Sequence, residues 1–169
     1  MKFIKPFSIF EQGEVTGDFE EYDNKSGKPF WGNVGAGILP ICTKTKRILV
    51  PLRSTYVNEP GTWGVWGGKL EEKEDKNNPL KAAHREFREE AEYRGKLKLI
   101  PSYVYKTDGF EYHNFIGVVP EEFEPELNWE TEKFKWVTLD ELKKMKLHFG
   151  LKELLEKGTK EIETAMHAE

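Results

Sequence analysis

Residues 67–95 read GGKLEEKEDKNNPLKAAHREFREEAEYRG: two adjacent glycines, seven glutamates within 29 residues, and a closing glycine. Asn78-Pro79 marks a helix start, because asparagine caps free amide groups and proline suits the first helical position. The spacing predicts a helix from Pro79 to about Arg94, with Gly95 as its stop. At 3.6 residues per turn, Leu80, Ala83, Phe87 and Ala91 share a narrow core-facing stripe. Glu86, Glu89 and Glu90 stand at i, i+3 and i+4 on a bordering face, suited to the edge of a cleft.

A solvated, salt-bridged helix accounts for part of this charge. Arg85 with Glu89, Arg88 with Glu92 and Glu90 with Arg94 are i, i+4 pairs, each stabilising by about 0.2–0.5 kcal/mol. Glu86 does not fit that account, since its i+3 and i+4 neighbours are both glutamates. A hard divalent cation relieves the repulsion: Mg²⁺ takes oxygen ligands and is held by one or two carboxylates plus substrate phosphates. The paired glycines allow a sharp turn and close approach of a backbone carbonyl. Glu71, Glu72 and Glu74 follow on a loop with further carboxylates. Together these features describe a Mg²⁺ site.

The surrounding chain has the composition of one domain with a substantial core: 169 residues, 37% hydrophobic and 33% charged. A net charge of −4 argues against a general nucleic-acid binder, and a polyanionic ligand then requires cations between it and the protein. Cys42 is the single cysteine, so no intramolecular disulfide can form, and its apolar neighbours predict a core position. No apolar run approaches the roughly 20 residues of a membrane helix, and the N-terminus turns acidic too early for a signal peptide. The expectation is a cytoplasmic protein with no membrane contact.

Strands are predicted at NVGAGILPIC, RILVPLRS, GTWGVW, LKLIPSYVYK, EYHNFIGVV and KFKWV, with PFSIF a further candidate near the N-terminus. Thr138 and Glu141 form a capping box for a short helix, and residues 151–169 read as a helical region interrupted at Gly158. Strands, one helix, strands again and helices last define a layered α/β or α+β domain. Residues 1–169 read as a single domain, with 1–30 an extension of strand or loop.

The charged segment resembles the signature box of the Nudix hydrolases, G-x5-E-x7-R-E-U-x-E-E-x-G-U with U a bulky apolar residue. Gly68 and Glu74 match its opening; Arg85, Glu86, Phe87, Glu89 and Glu90 match the R-E-U-x-E-E core; Tyr93 supplies the last U. RILVPLRS is similar to the strand ending in arginine before the box, and ETEKFKWVTLDEL to the segment after it. Two departures stand out. Ten residues rather than seven separate Glu74 from Arg85, which places three extra residues in the loop before Pro79. Glu92 replaces the final glycine, and because glutamate is disfavoured in a left-handed conformation, the helix is expected to continue to Gly95.

The resemblance implies an α/β/α sandwich with a mixed sheet. It implies a Mg²⁺-dependent hydrolase, with Mn²⁺ as an alternative ion, cleaving a nucleoside diphosphate linked to another group. By position, Glu86 and Glu90 are the leading metal ligands, with Glu89 and the Gly67 carbonyl beside them. Arg85 is organisational, Glu74 steadies the loop, and Glu130 is the candidate general base with Glu89 next. The expected partner is a nucleotide-type small molecule, not extended nucleic acid; homodimerisation stays open. Trp31, Tyr105, Phe110, Tyr112 and Trp129 are candidate base-stacking residues, although packing is favoured for each alone. His113 is read as a packing or surface residue. The proline marking typical ADP-ribose hydrolases is absent, as is the marker of NADH-cleaving members. The alternative is a Nudix-fold module that binds a nucleotide without turnover; the intact R-E-U-x-E-E core favours catalysis.

Overall fold

A computed structural model describes residues 15–16, 33–71, 75 and 77–168. The candidate strand PFSIF, Trp31, Glu72 and Glu74 therefore lie outside the described residues. The strands are β1 (Val15–Thr16), β2 (Asn33–Cys42), β3 (Ile48–Arg53), β4 (Trp66–Lys69), β5 (Leu97–Thr107), β6 (Phe110–Val119) and β7 (Thr131–Val137). The helices are α1 (Pro79–Ala91), α2 (Leu139–Lys143), α3 (Phe149–Lys157) and α4 (Thr159–Met166).

The seven strands form one mixed sheet in the order β1-β5-β6-β2-β3-β7, with β4 also pairing to β2. The pairs β1/β5 and β2/β6 are parallel and the others antiparallel. Side chains of a strand alternate between faces, and β2 shows the consequence. Ala36, Ile38 and Cys42 join the core beneath α1 with Trp66, Phe87 and Phe115. Leu39 and Ile41 join the opposite core with Leu142, Leu151, Leu154 and Ile162 from α2, α3 and α4. Helices thus cover both faces of the mixed sheet, the expected α/β/α sandwich. Cys42 is buried, as its neighbours predict.

The helix signals act locally. The Asn78 carboxamide accepts from the Leu80 and Lys81 amides, and Pro79 occupies the first turn. Thr138 and Glu141 close their reciprocal capping box. Gly158 separates α3 from α4. α1, however, ends at Ala91 instead of reaching Gly95, because Glu92 takes the left-handed conformation itself, with φ 51° and ψ 30°. The Ala91 carbonyl then accepts from the Glu126 amide at 3.3 Å, so the tertiary fold turns the chain where the missing glycine otherwise would.

The paired glycines lie within β4 rather than in a turn. They are required for close approach. A side chain on Gly67 would collide with the Ala36 carbonyl, the Gly37 backbone and the Tyr112 hydroxyl. A Cβ on Gly68 would stand 2.6 Å from the Glu86 carboxyl group. Gly68 is therefore the bare surface against which α1 lays a glutamate.

Candidate active site

α1 crosses the sheet beside β4 and sets its glutamates at three depths. Glu90 is 5% exposed, and its Oε2 accepts from the Gly67 amide at 3.1 Å. Glu86 is half-buried against Gly68. Glu89 is 55% exposed, outside the cavity, with Oε2 accepting from Arg85 Nη1 at 3.1 Å. Glu130, from the turn before β7, completes the group: it lies close enough to Glu90 and Glu86 to raise both carboxyls. The fold thus brings Glu130 to Glu86 and Glu90, which lie 44 and 40 residues before it in the chain.

The electrostatics follow from that placement. Burial, opposed by Arg85 and reinforced by Glu89 and Glu130, pushes the Glu86 carboxyl up to about 7. Burial also raises Glu90 well above the usual carboxylate range, with Glu130 and Glu86 adding repulsion. Tyr112, whose hydroxyl reaches over Gly37 and Gly67, is raised by burial and by Glu90 and Glu86, so it stays a neutral donor.

Arg85 organises one side of the cluster. Its Nε and Nη2 bind the Asp75 carboxylate at 2.9 Å each, its Nη1 reaches Glu86 and Glu89, and Nη2 also donates to the Lys69 carbonyl. The bidentate fork fixes the guanidinium plane, and the surrounding carboxylates hold it firmly protonated. Asp75 is 1% exposed and also accepts from the Glu71 amide at 2.7 Å. The loop-steadying role expected of Glu74 is thus filled, among the described residues, by Asp75. Box spacing alone hides this, because Asp75 lies at the start of the segment assigned to the insertion.

A cavity of about 750 Å³ opens beside these groups. Gly67, Gly68, Glu90 and Glu130 line one part of it, and Tyr105, Phe110 and Tyr112 another. Three of the five candidate stacking residues therefore face the cavity. Trp129 is exposed on the turn, where its carbonyl accepts from the Ser54 hydroxyl at 2.8 Å. His113 is buried with Nε2 2.9 Å from Glu111 Oε2, and does not line the cavity. Sequence reading missed Arg53, Tyr56, Asn114, His148 and Phe149, all of which line it. Only Arg53, ending the strand before the box, carried a signal. The others come from distant segments with no local motif.

The donor set can be weighed against a hard cation. Buried carboxylates that repel one another and sit above their ordinary pKa are the oxygen donors such an ion stabilises. Their chemistry fits Mg²⁺. Among the described residues, however, no three His, Cys, Asp or Glu side chains are already gathered closely enough to hold an ion.

The NUDIX domain family model matches residues 32–158, and the chain belongs to the Nudix family. That membership places it among the pyrophosphohydrolases in general. A Nudix hydrolase from M. smegmatis, RenU, superposes with a TM-score of 0.67 at 20% identity, covering 83% of this chain and 89% of that one. The Nudix domain of Shewanella oneidensis NrtR, in complex with ADP ribose, gives 0.59 at 18% identity over 84% and 94%. A C. elegans Ap4A hydrolase gives 0.58 at 19% identity over 79% and 98%. These likenesses are likenesses of fold. A comparison with curated proteins finds no match. No helix among the described residues is long and apolar enough to cross a membrane.

Proposed function

We propose that this chain is a Mg²⁺-dependent hydrolase, with Mn²⁺ an alternative ion, that cleaves the phosphoanhydride of a nucleoside diphosphate linked to another moiety. The observation that carries the reading is the group Glu86, Glu90 and Glu130, braced by Arg85 and Asp75 at the edge of a 750 Å³ cavity. ADP ribose bound to one structural neighbour, and Ap4A named as the substrate of another, support a substrate of this class.

Glu86 and Glu90 would hold the ion, with Glu89 able to swing in from Arg85 and the Gly67 carbonyl beside them. Bound there, the ion supplies charge neutralisation of the diphosphate. The protein's own groups do the rest. Glu130 takes a proton from a water molecule whose oxygen forms the new bond to phosphorus as the bridging P–O bond breaks. The released phosphate carries away the bridging oxygen and its electron pair. Arg53, which lines the cavity and is anchored by Nε to the Asn58 carbonyl at 2.6 Å, binds a phosphate oxygen through its remaining N–H groups. Arg85 acts indirectly, by fixing Glu86 and Glu89.

Monophosphate release from nucleoside triphosphates, ADP-ribose, NADH and dinucleoside polyphosphates, with and without Mg²⁺, tests the proposal. Turnover of at least one of them, abolished by chelation, is expected. Tight binding without turnover across the panel would favour a nucleotide-sensing module instead.

A further inference from the structure

A file of aromatic rings leads away from the carboxylates. Tyr112 lies beside Glu90; Phe110 is 6.2 Å from Tyr112, Tyr105 6.3 Å from Phe110, and Phe149 5.6 Å from Tyr105. Phe149 is 47% exposed, a large apolar surface left open at the start of α3. It is held rather than loose. The His148 ring packs 4.7 Å from it at 34°, and that ring is fixed at both nitrogens. Nδ1 accepts from the Gly150 amide at 3.1 Å, so the proton sits on Nε2, which donates to Glu59 at 2.7 Å.

A second polar group beside these rings has a defined orientation. The β5/β6 register sets Tyr105 opposite Tyr112, and Asn114 follows two residues later on the same face. Asn114 is 3% exposed yet lines the cavity. Its Nδ2 donates to the Tyr103 carbonyl at 3.0 Å, which fixes the amide, because a carbonyl can only accept. Oδ1 then points elsewhere and receives no hydrogen bond among the described residues. Among the described residues the buried side-chain polar atom without a partner is Ser102 Oγ, so Oδ1 is not sealed in the core but opens to the cavity that Asn114 lines, where a ligand's donor can reach it.

We propose that this end of the cavity is a nucleobase subsite. Phe149 and Tyr105 supply the stacking surface, and Asn114 Oδ1 accepts from an exocyclic amino group. The subsite selects amino bases over their oxo counterparts: adenine over hypoxanthine, cytosine over uracil. An oxo base would set its own acceptor against Oδ1, with neither satisfied, and sites built around a hydrogen bond reject such analogues strongly. The inference rests on the hydrolase reading only in placing the diphosphate near Glu90.

Calorimetric binding of AMP, IMP, CMP and UMP to the full chain tests the subsite without turnover. The amino member of at least one pair is expected to bind about tenfold or more tighter than its oxo partner. Asn114→Leu is expected to erase that preference. Phe149→Ala, at a half-exposed position, is expected to weaken every bound nucleotide by about tenfold while keeping the preference. Equal binding within both pairs, no binding of any of the four at millimolar concentration, or a preference that survives Asn114→Leu would overturn the proposal. Preference without phosphoanhydride hydrolysis would sink the catalytic reading and leave the subsite standing; hydrolysis without preference would do the reverse.

Discussion

Glu92 and Asp75 show how much single positions carry here. Glu92 holds a left-handed backbone that costs an L-residue about 1–2 kcal/mol, and it stands close enough to hydrogen-bond Glu126 and raise that carboxyl's pKa. Glu92→Gly removes the backbone penalty, less the greater freedom that glycine adds to the unfolded chain. A net gain of about 0.5–1 kcal/mol is expected in urea unfolding; a loss would mean that the glutamate side chain is itself a support. Asp75→Asn acts the other way. It leaves the Arg85 guanidinium without the buried partner of its fork, and breaking such a pair costs about 3 kcal/mol. A change within experimental error would show that Glu86 and Glu89 suffice to hold Arg85. Asp75 was not legible from the motif, because it sits one residue past the matching glutamate. The final glycine of the motif does mark the left-handed position, and Glu92 takes it in glycine's place, beside the Ala91 carbonyl that accepts from the Glu126 amide.

α1 carries two opposed titrations. Glu86, raised to about 7 chiefly by burial, binds its proton more tightly when folded than when unfolded. Its contribution to stability is complete below about pH 4.5 and is lost as pH rises through 7. His84, pulled down to about 4 by burial and Arg88, runs in the reverse sense: its contribution is present above about 6.5 and lost as pH falls through 4. Between about pH 4.5 and 6.5 the two oppose each other. Glu86→Gln removes one of them. In metal-free protein, the unfolding free energy of this variant relative to the parent is expected to improve steadily from pH 5 to pH 8. A difference independent of pH would show that Glu86 is not strained by burial. The amphipathic spacing of Leu80, Ala83, Phe87 and Ala91 was enough to orient this helix, because that pattern is local and periodic. The depth of each glutamate was not readable, since it depends on Gly68 and on how closely β4 lies beneath α1.

The whole molecule is a sheet that gathers distant groups at one cavity. Its strands were legible from runs such as NVGAGILPIC and EYHNFIGVV, and the box pointed to Glu86 and Glu90. The cavity wall was not, because Asn114, His148 and Phe149 meet only after β6 and α3 pack together. Glu130 stands between those cases: a position suggested by resemblance, found in the fold against Glu90. The central claim is that the box carboxylates hold the ion while Glu130 handles the water. A Mg²⁺ titration of kcat for the parent, Glu90→Gln and Glu130→Gln addresses it most directly. Glu130→Gln is expected to lower kcat by about 10²–10⁴-fold with its Mg²⁺ midpoint nearly unchanged, whereas Glu90→Gln is expected to lower kcat and shift the midpoint upward. Parental rates in Glu90→Gln, or a loss below about threefold in Glu130→Gln, would contradict the account.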